Sequence, residues 1–395
     1  MEIRMRSGDS FSNFSSLFNI PFTLLADSNP QREQNQIKPG EKIKIPGFIS
    51  VPYRLKGDDE LHAISAAKNI SPEALLSLNQ TSDLEQLQQG AIIYIPERVT
   101  APLTAGKAPY DYQTLTRVIE SMQRIYPFIS VTTIGKSVLG KPIQEIRIGN
   151  GMKKVHMNAS FHANEWITTM VLMSLLNKYL LCLTNDSSMC GQDVNKLYEQ
   201  VELSIVPMVN PDGVDLVLNG PPSEKRLEMM ELNEGSDEFI HWKANIRGID
   251  LNRQFPANWD SCRNNSPVQS PCARDFPGAA PLSEPEAAAM SELVYKNAFD
   301  YVLAFHTQGE EFYWGYEGFE PLESEQMAVD FERKSGYKAI RYVNSHAGFK
   351  DWFIQEFKRP GFTIELGRGI NPLPLSQFQQ ILQRAEEIFT AALSY

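Results

Sequence analysis

The sequence predicts an α/β protein in which a mixed sheet is covered by helices and is preceded by two small β-α-α-β modules. From about residue 110, helical stretches such as "YQTLTRVIESMQRIY" alternate with short apolar runs such as "VELSIVPMV" and "YVLAFH". Alternation of this kind is typical of α/β domains. Before that point the chain repeats itself with a period of about 50 residues, which indicates repeated modules.

The two N-terminal units share the same order of signals. Asn29 and Asn79 occupy equivalent positions, as do Pro46 and Pro96. In each unit a helix of apolar period 3.6 ("SFSNFSSLF", "ELHAISAAK") leads to a second helix opened at a proline, and then to a closing strand ("KIKIP", "AIIYIP"). A stretch rich in Pro, Gly and small residues follows, which indicates either a linker or a connection that runs along the surface. The expected parts of the chain are 1–47, 48–97, the linker 98–109 and one large domain over 110–395.

Composition limits the classes of function. The chain has 395 residues, 42% of them hydrophobic and 22% charged, with a net charge of −11. This length predicts more than one domain. An acidic chain without a Lys/Arg run argues against nucleic acid as the main partner. The start "MEIRMRSGDSFSNF" shows no signal-peptide pattern, and we find no run of about 18 apolar residues, so we expect no membrane span.

Four cysteines form two close pairs, Cys182 with Cys190 and Cys262 with Cys272. Each pair could close a short disulfide loop, and four free thiols are the alternative. Neither pair has the C-x-x-C spacing of a zinc cluster.

The stretch "SFHANEWITT" places His162 and Glu165 three residues apart, directly after the run "VHMNASF". Such a pair could bind one metal ion together, or it could be a solvated polar patch at a strand end. Zinc in a hydrolase takes three protein ligands. His306 ends the apolar run "YVLAFH", and sites in open α/β sheets collect at strand ends, so it is a plausible third ligand.

Two further stretches contain polar residues that could act in catalysis or in substrate binding. Glu365 lies in the apolar run "PGFTIELG", where an unpaired carboxylate is costly, so either a salt bridge or a role as general base explains it. The stretch "WKANIRGIDLNRQFP" contains Lys243, Arg247, Asn252 and Arg253. Guanidinium and amide groups suit the capture of a carboxylate, and a solvated basic loop is the alternative.

Both N-terminal units resemble LysM modules in their arrangement and residues. LysM modules bind glycans that contain N-acetylglucosamine, such as peptidoglycan and chitin. The resemblance therefore implies a glycan partner for the first hundred residues.

Six motifs of the large domain resemble the zinc carboxypeptidase (M14) family. In chain order they are "FHANEW", "VNPDG", "WKAN…GIDLNRQFP", "FPGAAPLSEPEA", "FHTQG" and "FTIELG". The match covers nearly all of residues 110–395. The residues of these motifs, together with the two LysM units, resemble one branch of the family more closely, the bacterial γ-D-glutamyl-L-diamino acid endopeptidases. These cut peptidoglycan stem peptides between γ-linked D-glutamate and meso-diaminopimelate.

The resemblance implies a role for most of the polar residues named above. It implies that one Zn²⁺ per chain is bound by His162, Glu165 and His306, and that Glu365 is the catalytic base and acid. Asn252 and Arg253 match the pair that holds a substrate carboxylate. Lys243 lies where many relatives carry an arginine that polarises the scissile carbonyl.

The chain departs from the family pattern in the loop before the strand that carries Glu365. Carboxypeptidases use a mobile tyrosine there, and the loop reads "RYVNSHAGFKDWF". Tyr342 is a candidate for substrate binding, but close relatives tend to have their tyrosine at the position of His346. His346 is therefore a candidate catalytic residue, with an imidazole in place of the phenol. An imidazole titrates near neutral pH and a phenol does not.

Two other functions stay open at this point. One is a carboxypeptidase that acts on ordinary L-peptides, and the other is a wall-binding protein with an inactive peptidase domain. LysM modules imply contact with the cell wall, so we expect synthesis in the cytoplasm of a spore-forming Gram-positive bacterium and action on spore wall or recycled wall fragments.

Overall fold

The computed structural model describes residues 1–30, 38–56, 59–81, 89–103, 106, 108–343 and 345–395. Both N-terminal modules have the predicted β-α-α-β order, each closed by an antiparallel strand pair. The first contains β1 (Glu2–Arg4), α1 (Phe11–Phe18), α2 (Phe22–Asp27) and β2 (Lys42–Lys44). The second contains β3 (Phe48–Arg54), α3 (Leu61–Lys68), α4 (Pro72–Asn79) and β4 (Ile92–Arg98).

The repeated asparagines explain why the two modules share a shape. Asn29 donates to the carbonyl oxygens of Leu25 and Lys44 and accepts from the Lys44 N–H, at 2.8 to 2.9 Å. Asn79 makes the same three bonds with Leu75 and Tyr94 at 2.7 to 2.8 Å. In each module one amide therefore ties the second helix to the closing strand, and it satisfies backbone groups that the sheet leaves unpaired.

The large domain alternates helices and strands as the sequence predicts. Its helices are α5 (Tyr112–Ile125), α6 (Ile167–Thr184), α7 (Val194–Gln200), α8 (Pro211–Asn219), α9 (Arg226–Leu232), α10 (Trp259–Asn265), α11 (Pro285–Asn297), α12 (Leu322–Ser335), α13 (Phe349–Phe357) and α14 (Phe378–Ser394). Its strands are β5 (Ser130–Lys136), β6 (Pro142–Ile148), β7 (Lys153–Ala159), β8 (Val201–Val206), β9 (Tyr301–His306), β10 (Glu311–Tyr313), β11 (Lys338–Ile340) and β12 (Gly361–Glu365).

These strands form one eight-stranded mixed sheet in the order β11-β10-β12-β9-β7-β8-β6-β5. The four central strands, β12, β9, β7 and β8, run parallel. Every residue of β9 is buried, as expected for a strand covered on both faces. Because parallel strands end at the same edge of a sheet, the residues that end or follow β7, β9 and β12 lie together.

The first module packs directly on the large domain. Phe14 and Phe18 belong to the same buried cluster as the apolar residues of α5 and α6. The Gly47 N–H donates to the Ile125 carbonyl at 2.8 Å, and the Arg98 guanidinium donates to the carbonyl oxygens of Phe18 and Thr184. This module and the large domain therefore share a core rather than being separated by a free tether.

Helix α6 is the central helix of the large domain. Ala163–Thr184 is long and apolar enough to cross a membrane by length and composition, but 89% of its most apolar window is buried inside the protein. Burial of this extent is what a core helix shows.

All four cysteines are free thiols, so the structure favours the second of the two alternatives for them.

Candidate active site

The turn after β7 brings His162 and Glu165 to the same side. Residues Ala163–Glu165 form one 3₁₀ turn with His162 at its N-cap, and residues three apart on such a turn lie one above the other. Thr168 fixes the turn, because its hydroxyl donates to the Glu165 carbonyl at 2.7 Å and accepts the Ser160 N–H at 3.0 Å. The motif "SFHANEWITT" thus folds into a rigid loop that presents two potential ligands.

His306, the last residue of β9, completes a buried cluster with these two residues. The Nδ1 atom of His162 lies 2.8 Å from Glu165 Oε1, and Nδ1 of His306 lies 3.0 Å from Glu165 Oε2. The two Nδ1 atoms are 3.2 Å apart. The exposed fractions of His162, Glu165 and His306 are only 7%, 3% and 1%.

This cluster fits a zinc ion. Ligands at about 2.0 to 2.2 Å from a tetrahedral zinc lie roughly 3.3 Å from one another, close to the separations found here. Two imidazole nitrogens and a carboxylate oxygen are also a donor set that suits zinc. Burial alone would lower the pKa of His162, but the negative charges of Glu165 and Asp250 raise it to about 9. Burial lowers the pKa of His306, which favours its neutral imidazole, the form that binds a metal ion.

Glu365 ends β12, the strand beside β9, and its Cα pairs in register with that of His306. The Leu366 N–H donates to the His306 carbonyl at 2.9 Å, which fixes the two strand ends to each other. Burial raises the pKa of Glu365 to about 8, and the negative charge of Glu165 adds to the effect. The structure therefore places the carboxyl group of Glu365 at the strand end beside His306, where a general base could act on a water molecule at the cluster.

Asp250 is a site residue that the sequence reasoning missed. It is fully buried, and its Oδ1 lies 3.2 Å from Nε2 of His162. Its Oδ2 lies 2.8 Å from Nζ of Lys243 and 3.4 Å from Nε of Arg253. These partners hold the pKa of Asp250 well below its usual range against the opposing effect of burial. Asp250 lies in the middle of the "GIDLNR" motif, and an acidic residue between the basic residues Lys243 and Arg253 in the sequence is the signal that could have identified it.

Lys243 is held between two aspartates. Its ammonium lies 2.8 Å from Asp250 and 2.9 Å from Asp275, and its side chain is 16% exposed. Burial alone would lower its pKa, but the two carboxylates raise it. Asp275, also missed by sequence reasoning, contacts Arg253 and Arg274 at 3.5 and 3.1 Å. The charge of Lys243 is therefore largely neutralised by its own protein.

Arg253 has a more open environment. Its contacts with Asp250 and Asp275 are long, 3.4 and 3.5 Å, and its side chain is 35% exposed. Its guanidinium can therefore still donate hydrogen bonds to a carboxylate from solution. Asn252 beside it uses its side-chain oxygen to accept the Phe349 N–H at 3.0 Å, which ties this loop to the start of α13.

The loop before α13 separates the two remaining candidates. Tyr342 is 52% exposed, and its hydroxyl donates to Glu320 at 2.8 Å rather than joining the metal cluster. His346 is half-buried, and its Nδ1 lies 3.1 Å from the hydroxyl of Tyr316. The structure thus groups His162, Glu165, His306, Glu365, Lys243 and Arg253, whereas the contacts of His346 and Tyr342 lie with other residues.

A mixed sheet with a His-Glu-His cluster and a carboxyl group of raised pKa at its carboxyl edge defines a zinc metallopeptidase. Residues 115–391, more than half of the chain, match the family described as "Zinc carboxypeptidase", and residues 3–46 match the LysM domain. The chain belongs to the zinc carboxypeptidase family. LysM domains bind peptidoglycan, so the second match indicates association with the cell wall.

Two curated relatives align with all or nearly all of the chain. One is 49% identical over 395 residues, covers 100% of both chains, and is named "Gamma-D-glutamyl-L-diamino acid endopeptidase 1", from Lysinibacillus sphaericus. Another, "Uncharacterized protein YqgT" from Bacillus subtilis (strain 168), is 48% identical over 387 residues and 96% of each chain. Among solved structures, bovine thrombin-activatable fibrinolysis inhibitor in complex with tick carboxypeptidase inhibitor superposes with a TM-score of 0.56 at 20% identity, covering 74% of this chain and 98% of that one. This last likeness confirms the fold.

Proposed function

We propose that the protein hydrolyses the amide bond between the γ-carboxyl group of D-glutamate and meso-diaminopimelate in peptidoglycan stem peptides. The observation that carries this proposal is the alignment with the Lysinibacillus sphaericus endopeptidase over all 395 residues, which includes the N-terminal modules as well as the catalytic domain. A relative that shared only the catalytic domain would support the reaction type but not the wall substrate.

In this proposal His162, Glu165 and His306 hold one zinc ion. Bound zinc supplies Lewis-acid chemistry, because it polarises a carbonyl group and makes nearby water more acidic. The distances of 2.8 to 3.2 Å among their ligand atoms support this assignment. Asp250 accepts from the far nitrogen of His162 and thereby keeps Nδ1 turned toward the cluster.

Glu365 is the proposed proton carrier. It removes a proton from the water that attacks the γ-amide carbon, and it returns that proton to the amine of diaminopimelate as the carbon–nitrogen bond breaks. Its place in register with His306 supports the role. Lys243, whose ammonium is held in place by Asp250 and Asp275, is proposed to stabilise negative charge on the carbonyl oxygen.

Arg253 and Asn252 are proposed to hold a carboxylate of the substrate. Three carboxylates are available on a stem peptide: that of D-glutamate and those of the two centres of diaminopimelate. In a tripeptide the L-centre carboxylate is free, and in a tetrapeptide it is joined to D-alanine. Tyr342 is a further candidate for contact with the substrate, and His346 is a further candidate for a catalytic role.

The N-terminal modules are proposed to hold the glycan strand. We assign 1–47 and 48–97 as two LysM modules that bind N-acetylglucosamine units, 98–109 as the connection, and 110–395 as the catalytic domain. The equivalent bonds of Asn29 and Asn79 support a common fold for both modules. Holding the enzyme on glycan raises the local concentration of stem peptides. Action on spore wall or on recycled wall fragments would fit this substrate.

The test is a digestion followed by mass spectrometry. The purified protein is incubated with L-Ala-γ-D-Glu-meso-diaminopimelate, with and without a D-Ala extension, each with and without a zinc chelator. We expect release of L-Ala-D-Glu that the chelator abolishes, and the preferred length identifies the carboxylate that Arg253 holds. A His306→Ala variant serves as the metal-site control.

Other outcomes would contradict the proposal. If the zinc-loaded protein cleaves hippuryl-type dipeptides but no stem peptide, it is a carboxypeptidase of ordinary L-peptides. If the purified protein binds no zinc and cleaves neither substrate, it is a wall-binding protein with an inactive peptidase domain.

A further inference from the structure

The carboxylate of Glu165 is held by two donors that are not among the proposed zinc ligands. Its Oε2 accepts the backbone N–H of Thr307 at 3.3 Å, and its Oε1 accepts the side-chain amide of Asn371 at 3.4 Å. Glu165 is almost completely buried, and a buried carboxylate without donors is costly. Each oxygen of Glu165 is therefore fixed by a residue that is not itself a proposed zinc ligand.

Thr307 and Asn371 also hold each other. The Thr307 hydroxyl donates to Asn371 Oδ1 at 2.8 Å, and Asn371 Nδ2 donates to the Thr307 carbonyl at 3.1 Å. A carbonyl oxygen can only accept, so the second bond requires that the NH₂ side of the amide faces Thr307 and Glu165. The amide of Asn371 thus has one defined orientation, with a hydrogen directed at the carboxylate.

The pair joins two parts of the chain that are far apart in sequence. Thr307 directly follows β9 and His306, and Asn371 lies in the loop that follows β12 and Glu365. A third contact reaches the same loop, because the ring of His241 donates from Nδ1 to the Asn371 carbonyl at 2.9 Å. The His241 bond involves only the backbone of Asn371, whereas the Thr307 bonds involve its side-chain amide.

We propose that Thr307 and Asn371 are positioning residues for the zinc ion, which act by fixing the orientation of the Glu165 carboxylate. The inference rests on the ligand set given under the proposed function. Hydrogen bonds to a metal ligand orient it before the metal arrives, and loss of such a bond typically weakens metal affinity about 10- to 100-fold. The donors at Thr307 and Asn371 are suited to this task because each of them takes one oxygen of the same carboxylate.

A purely structural role makes a different prediction. If the pair only anchors the loop after β12 to the end of β9, its loss lowers the stability of the protein and leaves zinc affinity unchanged. Zinc affinity therefore separates the two roles, and catalytic activity alone does not.

The experiment measures the zinc dissociation constant by competition with a chromophoric chelator, on the full chain, together with the melting temperature of the metal-free protein. Asn371→Leu keeps the bulk of the side chain and removes the donor to Glu165. Thr307→Val removes the hydroxyl but keeps the backbone N–H. We expect an affinity about 10- to 100-fold weaker for Asn371→Leu, which removes one of the two donors to Glu165. We expect a smaller loss for Thr307→Val, because both donors remain and only the hydroxyl that orients the Asn371 amide is lost.

His241→Ala is the matched control, because it removes the bond to the Asn371 backbone and leaves the amide in place. We expect its zinc affinity to stay within about twofold of the parent protein. The proposal is overturned if Asn371→Leu binds zinc as tightly as the parent, or if His241→Ala weakens binding as much as Asn371→Leu does. Zinc binding by the parent and its loss in His306→Ala are measured first, and absence of either result refutes the ligand set instead.

Discussion

Asp250 and His162 are joined by a contact of 3.2 Å between Oδ1 and Nε2, across 88 residues of chain. The imidazole has only two nitrogens, so a carboxylate on Nε2 leaves Nδ1 as the atom that faces Glu165. The aspartate is fully buried, which makes this contact strong and its loss costly.

From this contact we predict that Asp250→Asn weakens zinc binding about 10- to 100-fold. The neutral amide no longer favours the tautomer of His162 that carries its proton on Nε2 and leaves Nδ1 free to bind zinc. Competition with a chromophoric chelator measures the effect. Asp260→Asn, at an exposed position on α10, is the control and should leave zinc affinity unchanged. Equal affinities of the Asp250 variant and the parent would show that the ring of His162 is oriented by other contacts.

Lys243 gives the second prediction. Its ammonium lies between Asp250 and Asp275, so Lys243→Met would leave two carboxylates facing each other in a largely buried site. Breaking a buried ion pair by removing one partner typically costs about 3 to 5 kcal/mol. We expect a lower free energy of unfolding in urea with chelator present, whereas Lys196→Met, at an exposed pair of 3.9 Å, should change it by less than about 1 kcal/mol.

If Lys243→Met loses turnover but no stability, the ion pairs with Asp250 and Asp275 contribute little to folding. The ammonium then acts mainly on the carbonyl oxygen of the substrate.

The third prediction concerns Glu365. Glutamine has the same shape but cannot carry the proton, so we expect Glu365→Gln to lower kcat by about 10²- to 10⁴-fold while zinc content stays the same. Glu311→Gln is the matched control, because Glu311 pairs with Glu365 in the neighbouring strand β10 and its carboxylate accepts from Tyr313. Release of L-Ala-D-Glu and metal analysis of the same samples provide the two measurements. Similar rates for the Glu365 and Glu311 variants would refute the assignment of the base.

Part of this site could be predicted because it depends on local patterns. The run "YVLAFH" predicts a buried strand that ends at a histidine, and β9 does end at His306. The run "GFTIE" likewise becomes β12 and ends at Glu365. Apolar runs that end in polar residues predict buried parallel strands. Because neighbouring parallel strands end at the same edge of the sheet, the sequence is sufficient to suggest that His306 and Glu365 lie close together.

The remaining part depends on contacts between distant segments, which local patterns do not contain. Lys243 reads as a free cation in "WKAN", but Asp275, 32 residues further on, neutralises it. The place of Tyr342 in the loop suggests a role in the site, and only the fold shows that its hydroxyl donates to Glu320. The packing of Phe14 and Phe18 into the core of the large domain is another long-range feature that a linker of Pro and Gly residues does not predict.

The fourth prediction is a pH dependence of stability from Glu286 on α11, which lies outside the zinc cluster. Its side chain is fully buried, and its Oε1 accepts the Val138 N–H at 3.0 Å. Burial raises the pKa of Glu286 to about 7, and the nearby carboxylates of Asp212 and Glu284 add to the effect. Asn245 also contacts Glu286 at 3.4 Å, so the same carboxyl group supports the segment that carries Lys243.

The sign of the effect follows from the direction of the shift. The pKa of Glu286 is higher in the folded protein than its ordinary value of 4.5, so the folded state binds the proton more tightly. This stabilising contribution is complete below pH 4.5 and is lost as the pH rises through about 7. Glu286→Gln keeps an oxygen for Val138 and cannot ionise, so its stability relative to the parent should increase between pH 5 and 8. Melting temperatures across this range test the prediction, with Glu292→Gln at an exposed position of the same helix as the control. A difference between Glu286→Gln and the parent that stays constant with pH would mean that Glu286 does not titrate in this range.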